Sequence, residues 1–278
     1  MSASHDDSLV CVYMTKQEAS IYSHFSNFMK VLKTNITNPS SLLVNSMDNP
    51  MDNPMDRTLN DWVAHIDASF DKADKYISGI DTQVLKIYGM SGKKTRHFYN
   101  NLACKKDLRY LEIGVLTGSS TCAMMSNNNI QCTAIDNWSE FGGPKNEFLQ
   151  NIAKFKGIND IKFIEENCWA IDTSKLGKFN MYLYDGPHAE IDHFEALHHY
   201  SNCLDEIFVY IIDDWNWENV RNGTLNAIRA NKFTIKYRRE IRTTDDNTQP
   251  YWDDTKTPCA GPNSDWHNGI CVFILSKH

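Results

Sequence analysis

Leu108-Arg109-Tyr110-Leu111-Glu112-Ile113-Gly114-Val115-Leu116-Thr117-Gly118-Ser119-Ser120 decides the fold of this chain. A short apolar run ends in glycines at 114 and 118, where the backbone can turn tightly, and this is the pattern of a buried strand feeding a helix. Similar apolar runs at Ile130–Ile135, Ile161–Ile164, Phe179–Tyr184 and Ile207–Ile212 alternate with helical stretches. Strands in βα alternation predict a Rossmann-like, doubly wound α/β fold around buried parallel strands. Two more strands are predicted at Phe233–Ile241 and Gly269–Leu275. Between them lies only a loop, 243–268, rich in Asp, Pro, Thr and Trp, and a loop that long is expected to fold over the active site.

Ahead of the first strand the texture differs. Val12, Met14, Ile21, Phe25, Phe28, Met29 and Leu32 predict one or two helices over 10–34. Met47–Asp56 then repeats a four-residue unit whose Asn-Pro steps oppose helix and sheet, so a flexible linker is expected near 44–58. From Leu59 the spacing of Trp62, Ile66, Phe70, Ala73 and Ile77 predicts a helix stopped at Gly79, with a second helix through Val84, Leu85 and Ile87. The expected division is a helical extension over 1–84 and a catalytic domain over 85–278.

Composition excludes several classes. The 278 residues are 41% hydrophobic and 23% charged, as in ordinary globular proteins, and no apolar stretch approaches the ~20 residues of a membrane span. A net charge of −7 argues against nucleic acid as partner, because phosphate binding needs a basic surface. Met1–Asp7 has neither a basic region nor an apolar core, so no secretory signal is read there. Eight cysteines without a Cys-x-x-Cys pair point to reduced thiols in a cytoplasmic compartment and to no zinc knuckle.

The chemistry concentrates after the fourth and fifth strands. Asp185, in Tyr184-Asp185-Gly186-Pro187-His188, is followed 28 positions later by Asp213-Asp214. Residues just past the carboxyl ends of neighbouring strands converge on one crevice in an open α/β sheet. Three carboxylates there suit a hard divalent cation, with His188 in reach of whatever the cation holds. The duller alternatives are a helix cap for Asp213 and Asp214, a turn for Asp185-Gly186, and a surface position for His188, as is expected of His193, His198 and His199.

Gly114-x-x-x-Gly118 is not the Gly-x-Gly-x-x-Gly of a dinucleotide site. Asp136, at the end of the second strand, can accept hydrogen bonds from both hydroxyls of a ribose, and it can equally serve as a helix N-cap. Asn167 follows the third strand, where a polar side chain could read an adenine amino group.

In this order the motifs resemble the class I S-adenosylmethionine-dependent methyltransferases, over roughly residues 85–278. The resemblance implies a seven-stranded sheet with an antiparallel last strand. It implies that Glu112, Gly114, Thr117, Gly118 and Ser119 surround the methionine moiety of S-adenosyl-L-methionine, with Asp185 close by. Asp136 would bind the ribose, Trp138 would lie beside it, and Asn167 with Cys168 would face the adenine.

Asp185 with His188 and Asp213-Asp214 is more narrowly similar to the metal-dependent sugar O-methyltransferases of macrolide and aminocoumarin tailoring. That likeness implies Mg²⁺ or Mn²⁺ held by Asp185, Asp213 and Asp214, with Asp185 also in the catalytic set. His188 would be the general base, and the acceptor a sugar hydroxyl of a small molecule or glycan. In a branch that places an acidic residue two after the first metal ligand, this chain has Pro187, so that version does not carry over. Catechol-type enzymes have Asn where Asp214 stands and Lys where His188 stands; a small phenol is the alternative acceptor, and a non-catalytic nucleoside-binding protein the alternative class. Among Trp215, Trp217, Tyr251, Trp252 and Trp266, one or two of the loop residues Tyr251, Trp252 and Trp266 are expected to touch the acceptor. The family's habit of dimerising makes the helical amino-terminal region the expected contact of a homodimer.

Overall fold

The computed structural model describes residues 54–248 and 265–277, all within one compact unit, Asn49–His278. The helices expected over 10–34, the repeat up to residue 53, and Tyr251 and Trp252 lie outside the described residues.

Helix α1 (Pro54–Ala73) begins the described chain, with Pro at its first position, where a missing N–H costs nothing. The linker expected to reach residue 58 therefore gives way to helix at Pro54. Trp62, Ile66 and Phe70 are buried along one face of α1, each burial contributing roughly 1.5–3 kcal/mol. Asp67 binds α1 to the far edge of the sheet, accepting from Tyr237 Oη at 2.6 Å and Arg239 at 2.7 Å. Ile77 is exposed and lies past the helix end at Ala73, so it does not extend that face. The second helix expected there is only a 3₁₀ turn, Val84–Lys86. A full helix, α2 (Lys93–Leu102), follows it.

The remaining elements alternate: β1 (Arg109–Ile113), α3 (Ser119–Met125), β2 (Gln131–Asp136), α4 (Lys145–Phe155), β3 (Asp160–Glu165), β4 (Phe179–Tyr184), α5 (Glu190–Tyr200), β5 (Leu204–Asp213), α6 (Glu218–Ala230), β6 (Thr234–Ile241) and β7 (Ile270–Ser276). They build one seven-stranded sheet in the order β3-β2-β1-β4-β5-β7-β6. Strands β1 to β5 pair in parallel, and β7 enters antiparallel to both β5 and β6. The expected Rossmann-like sheet with its antiparallel last strand is the observed fold. One expectation fails: β3 is an edge strand with exposed or half-exposed residues, not a buried one.

Side chains alternate across the sheet. Tyr110, Ala134, Met181, Leu183, Val209, Ile211, Val272 and Ile274 join the core cluster that includes α1 and α2 residues. On the opposite face Tyr182 stacks on Tyr210 at 5.1 Å and donates its hydroxyl to Ala196 O of α5 at 3.2 Å. Among the described residues no helix is long and apolar enough to cross a membrane.

Candidate active site

The carboxyl ends of β1, β2, β4 and β5 come together as the topology requires. After β1, Gly114 takes φ +81° and donates its N–H to Ile135 O of β2 at 3.0 Å. A Cβ on Gly114 would stand 2.0 Å from the carbonyl oxygen of Asp185, so this glycine admits the β4 backbone. Gly118, at φ +84°, closes the loop onto Phe148 of α4, whose ring would lie 3.0 Å from an added Cβ.

Asp136 holds this loop from the side. Its Oδ2 accepts from Val115 N at 2.8 Å and Leu116 N at 3.1 Å, and its Oδ1 from Trp138 N at 2.7 Å. A carboxylate has lone pairs beyond these three bonds, so this structural role leaves acceptor capacity for the expected ribose contact. Trp138 is buried, donating Nε1 to Leu116 O at 2.8 Å. Thr117 and Ser119 are buried too: Thr117 donates to Tyr88 O, and Ser119 Oγ lies 3.3 Å from Ser91 Oγ. These three therefore build the wall of the site. Asn167 is exposed, with its Oδ1 accepting from Trp169 N, and Cys168 is half-buried, its thiol pushed up to about 12 mainly by burial.

Glu112 is wholly buried beneath the loop, accepting from the hydroxyls of Ser120 and Thr121 at the start of α3. Burial raises its carboxyl to about 7 against those two donors. Arg96, also wholly buried, gathers Ser91 Oγ and the carbonyls of Val84, Leu85, Ile87 and Gly89, which folds residues 84–91 against Thr117 and Ser119. Burial pulls its guanidinium down to about 10.

The acidic half forms past β4 and β5. The turn Asp185–His188 is pinned by Tyr184 Oη donating to Pro187 O at 2.9 Å and by Asn219 Nδ2 donating to His188 O. Asp214 takes a left-handed φ of 56°, a conformation Asp and Asn tolerate better than most residues. Asp185, His188 and Asp214 offer ligand atoms that all lie within 4.8 Å of one another. His188 Nε2 is 3.1 Å from Asp214 Oδ2 and 3.8 Å from Asp185 Oδ1. Asp213 is not in that group. It is the last residue of β5, buried behind Asp214, and consecutive residues at a strand end point to different sides. Of the three aspartates expected to hold a cation, Asp185 and Asp214 lie together in this cluster beside His188, and Asp213 lies outside it. Burial, then the facing carboxylates, raises Asp185 and Asp213 well above the usual carboxylate range.

Asn268, wholly buried just before β7, donates Nδ2 to Asp214 Oδ1 at 2.9 Å, while its own Oδ1 has no partner. Two carboxylates and an imidazole gathered this closely are a donor set that suits a hard divalent cation or its bound water. Asn268 and neighbouring Thr243, whose N–H bonds Asn216 Oδ1 at 2.9 Å, tie both described ends of the 243–268 loop to the residues after β5. Trp266 is not an acceptor contact: it is buried in the core, 5.5 Å from Phe70 and 6.2 Å from Phe98. Trp215 is likewise buried, against Phe273, whereas the half-buried Trp217 sets its ring edge-on to His188 at 5.3 Å. His193, expected at the surface, is wholly buried with Nε2 3.3 Å from His188 Nδ1.

No family profile and no curated protein matches the sequence. The structure is similar to ribosomal protein L11 methylase from Lactobacillus delbrueckii subsp. bulgaricus, with 18% identity, 66% of this chain and 78% of that chain covered, and a TM-score of 0.44. It is also similar to a Klebsiella pneumoniae protein provisionally assigned as an O-methyltransferase (12% identity, 90% and 96% covered, TM-score 0.40). A Staphylococcus aureus protein provisionally assigned as a caffeoyl-CoA O-methyltransferase gives 15% identity, 80% and 99% covered, and a TM-score of 0.43.

Proposed function

We propose that this chain is an S-adenosylmethionine-dependent O-methyltransferase that uses a divalent cation, Mg²⁺ or Mn²⁺, and acts on a sugar hydroxyl. The observation that carries the reading is the meeting of Asp185, His188 and Asp214 within 4.8 Å, directly against the loop Gly114–Gly118. A sugar hydroxyl is a poor nucleophile at neutral pH, so the site must generate alkoxide character and align it with the methyl group.

Each residue then has a task. Gly114–Gly118 and Asp136 shape the donor pocket, with Asn167 and Cys168 at its adenine end. The donor supplies a methyl group already activated by sulfonium charge. Asp185 and Asp214 would hold the cation, whose charge would lower the pKa of the acceptor hydroxyls. His188 takes the hydroxyl proton, its ring steadied edge-on by Trp217. The acceptor is a glycoside or glycan, and neither nucleic acid nor membrane is its partner.

Purified protein incubated with labelled methyl donor and a panel of glycosides and catechols, with and without chelator, tests the reading. Methylation of a glycoside that stops on chelation and in Asp214→Asn is the expected result. Label on a catechol alone would move the acceptor to the small phenols, and turnover unchanged by chelator would remove the cation. Donor binding with no turnover on any acceptor would leave a nucleoside-binding protein.

A further inference from the structure

We propose that His193 is a positioning residue: a buried imidazole whose Nε2 answers Nδ1 of His188 and so keeps the other nitrogen of that ring, Nε2, turned to the acidic cluster. This rests on His188 being the proton acceptor of the proposed reaction. The pairing itself stands on geometry alone.

His188 and His193 meet Nδ1 to Nε2 at 3.3 Å, their rings nearly parallel at 20° and 5.6 Å apart. His193 is wholly enclosed. Tyr184 covers it edge-on at 5.0 Å, and α6 approaches so closely that a Cβ on Gly223 would sit 2.9 Å from His193 Cβ. The enclosure leaves His193 Nδ1 without any hydrogen-bond partner. Burial and the neighbouring His188 depress its basicity well below the usual histidine range.

When both rings are neutral, the hydrogen bond between them constrains the proton inventory of the pair. One proton lies between His188 Nδ1 and His193 Nε2. If His193 supplies it, His188 Nδ1 is bare and its proton sits on Nε2, donated to Asp214 Oδ2 at 3.1 Å. If His188 supplies it, His193 must carry its own proton on Nδ1, and His188 Nε2 is bare. The two rings therefore always hold their protons on the nitrogen of the same name. Only the second arrangement leaves His188 Nε2 able to accept a proton from a substrate hydroxyl. His193 serves both arrangements, as donor in the first and acceptor in the second. It holds the ring as a metal-bound histidine is held through its other nitrogen.

Two measurements test this. Long-range ¹H–¹⁵N correlation spectra of the ¹⁵N-labelled protein, without added cation, report which ring nitrogen carries each proton. We expect a neutral His193 and like tautomers in the wild-type chain. His193→Gln, whose amide can donate or accept, should keep a single His188 tautomer, and His193→Phe should leave a mixture. In the methyl-transfer assay, His193→Phe should lower kcat about 10–100-fold, the usual loss on removing such a supporting partner, with the donor KM within about twofold. His193→Gln should restore most of kcat. Unlike tautomers in the wild type, or a His188 spectrum unchanged in His193→Phe, overturns the proposal, as does a kcat equal in Phe, Gln and wild type. The spectra need neither turnover nor a variant: a wild type that transfers no methyl group but shows like tautomers refutes the function and supports the pairing.

Discussion

Replacing Glu112 by Gln should stabilise this protein above neutral pH, although it removes a charged acceptor of two hydrogen bonds. Glu112 is wholly buried, and its carboxyl is raised to about 7, chiefly by loss of water, with the hydroxyls of Ser120 and Thr121 opposing the rise. The unfolded chain titrates near the ordinary 4.5. Between those two values the folded state holds the proton that the unfolded state has released. Stability therefore falls as pH rises through this window and levels off above it. A displacement of about 2.5 units at 1.36 kcal/mol each amounts to roughly 3 kcal/mol. Gln fills nearly the same volume and cannot ionise, and either hydroxyl can rotate to accept from its amide. The expected result is a stability difference, variant minus wild type, that climbs by about 3 kcal/mol from pH 4 to pH 8. Urea unfolding of both proteins at unit pH steps measures it, and subtraction cancels titrations the two proteins share. A difference constant within about 1 kcal/mol across that range would refute the buried-acid account.

Gly114→Ala should cost about 2–5 kcal/mol, because the new methyl meets the Asp185 carbonyl and the backbone keeps a positive φ; chemical denaturation reads it directly. Asp136→Asn turns an amide N–H₂ toward at least one of three backbone N–H donors and should cost about 2 kcal/mol, with calorimetric affinity for S-adenosylhomocysteine weakened about tenfold or more. Mn²⁺ or Mg²⁺ should raise the unfolding temperature, and more so as pH rises, because protons held by the raised Asp185 and Asp213 carboxyls compete with the cation. In Asp214→Asn, which suits the same left-handed backbone, the cation effect should vanish while the fold persists.

The sheet was legible because its central strands are continuous apolar runs, and β1 to β5 stand within a few residues of their expected places. Asp185, His188 and Asp214 were legible because strand ends in this topology face one crevice. Other features hide in sequence for physical reasons. Helix α2 buries Arg96, Asn100 and Asn101 with their side-chain N–H groups donating to backbone carbonyls, so its inward face does not look apolar. His193, expected at the surface, lies four before Leu197 and seven before Tyr200, on the buried stripe of α5, and that spacing is the signal the sequence offers. Asp213 and Asp214 looked equivalent because adjacency does not say which carboxylate a strand end turns inward. Trp266 looked like part of an acceptor loop because nothing local in the sequence places it against Phe70 and Phe98.

The donor half and the acidic half of the site touch through backbone. Gly114 accommodates the Asp185 carbonyl, and Asp185 N–H bonds Ile113 O at 2.9 Å, so the two loops inherit the pairing register of β1 and β4. Asp214 is fixed likewise, one residue past a ladder that pairs Asp213 with Ile270, with Asn268 bonding its carboxylate from two residues before that partner. In the proposed reaction the relative placement of methyl donor and acceptor would thus be set by a hydrogen-bonded sheet rather than by long side chains. Displacements of about an ångström can cost a reaction on the order of a hundredfold, so a rigid frame of this kind is what methyl transfer between two separately bound molecules demands. The described ends of the 243–268 loop are tied to the same frame through Asn216 and Asp214, which gives whatever that loop contributes a fixed point of attachment beside His188.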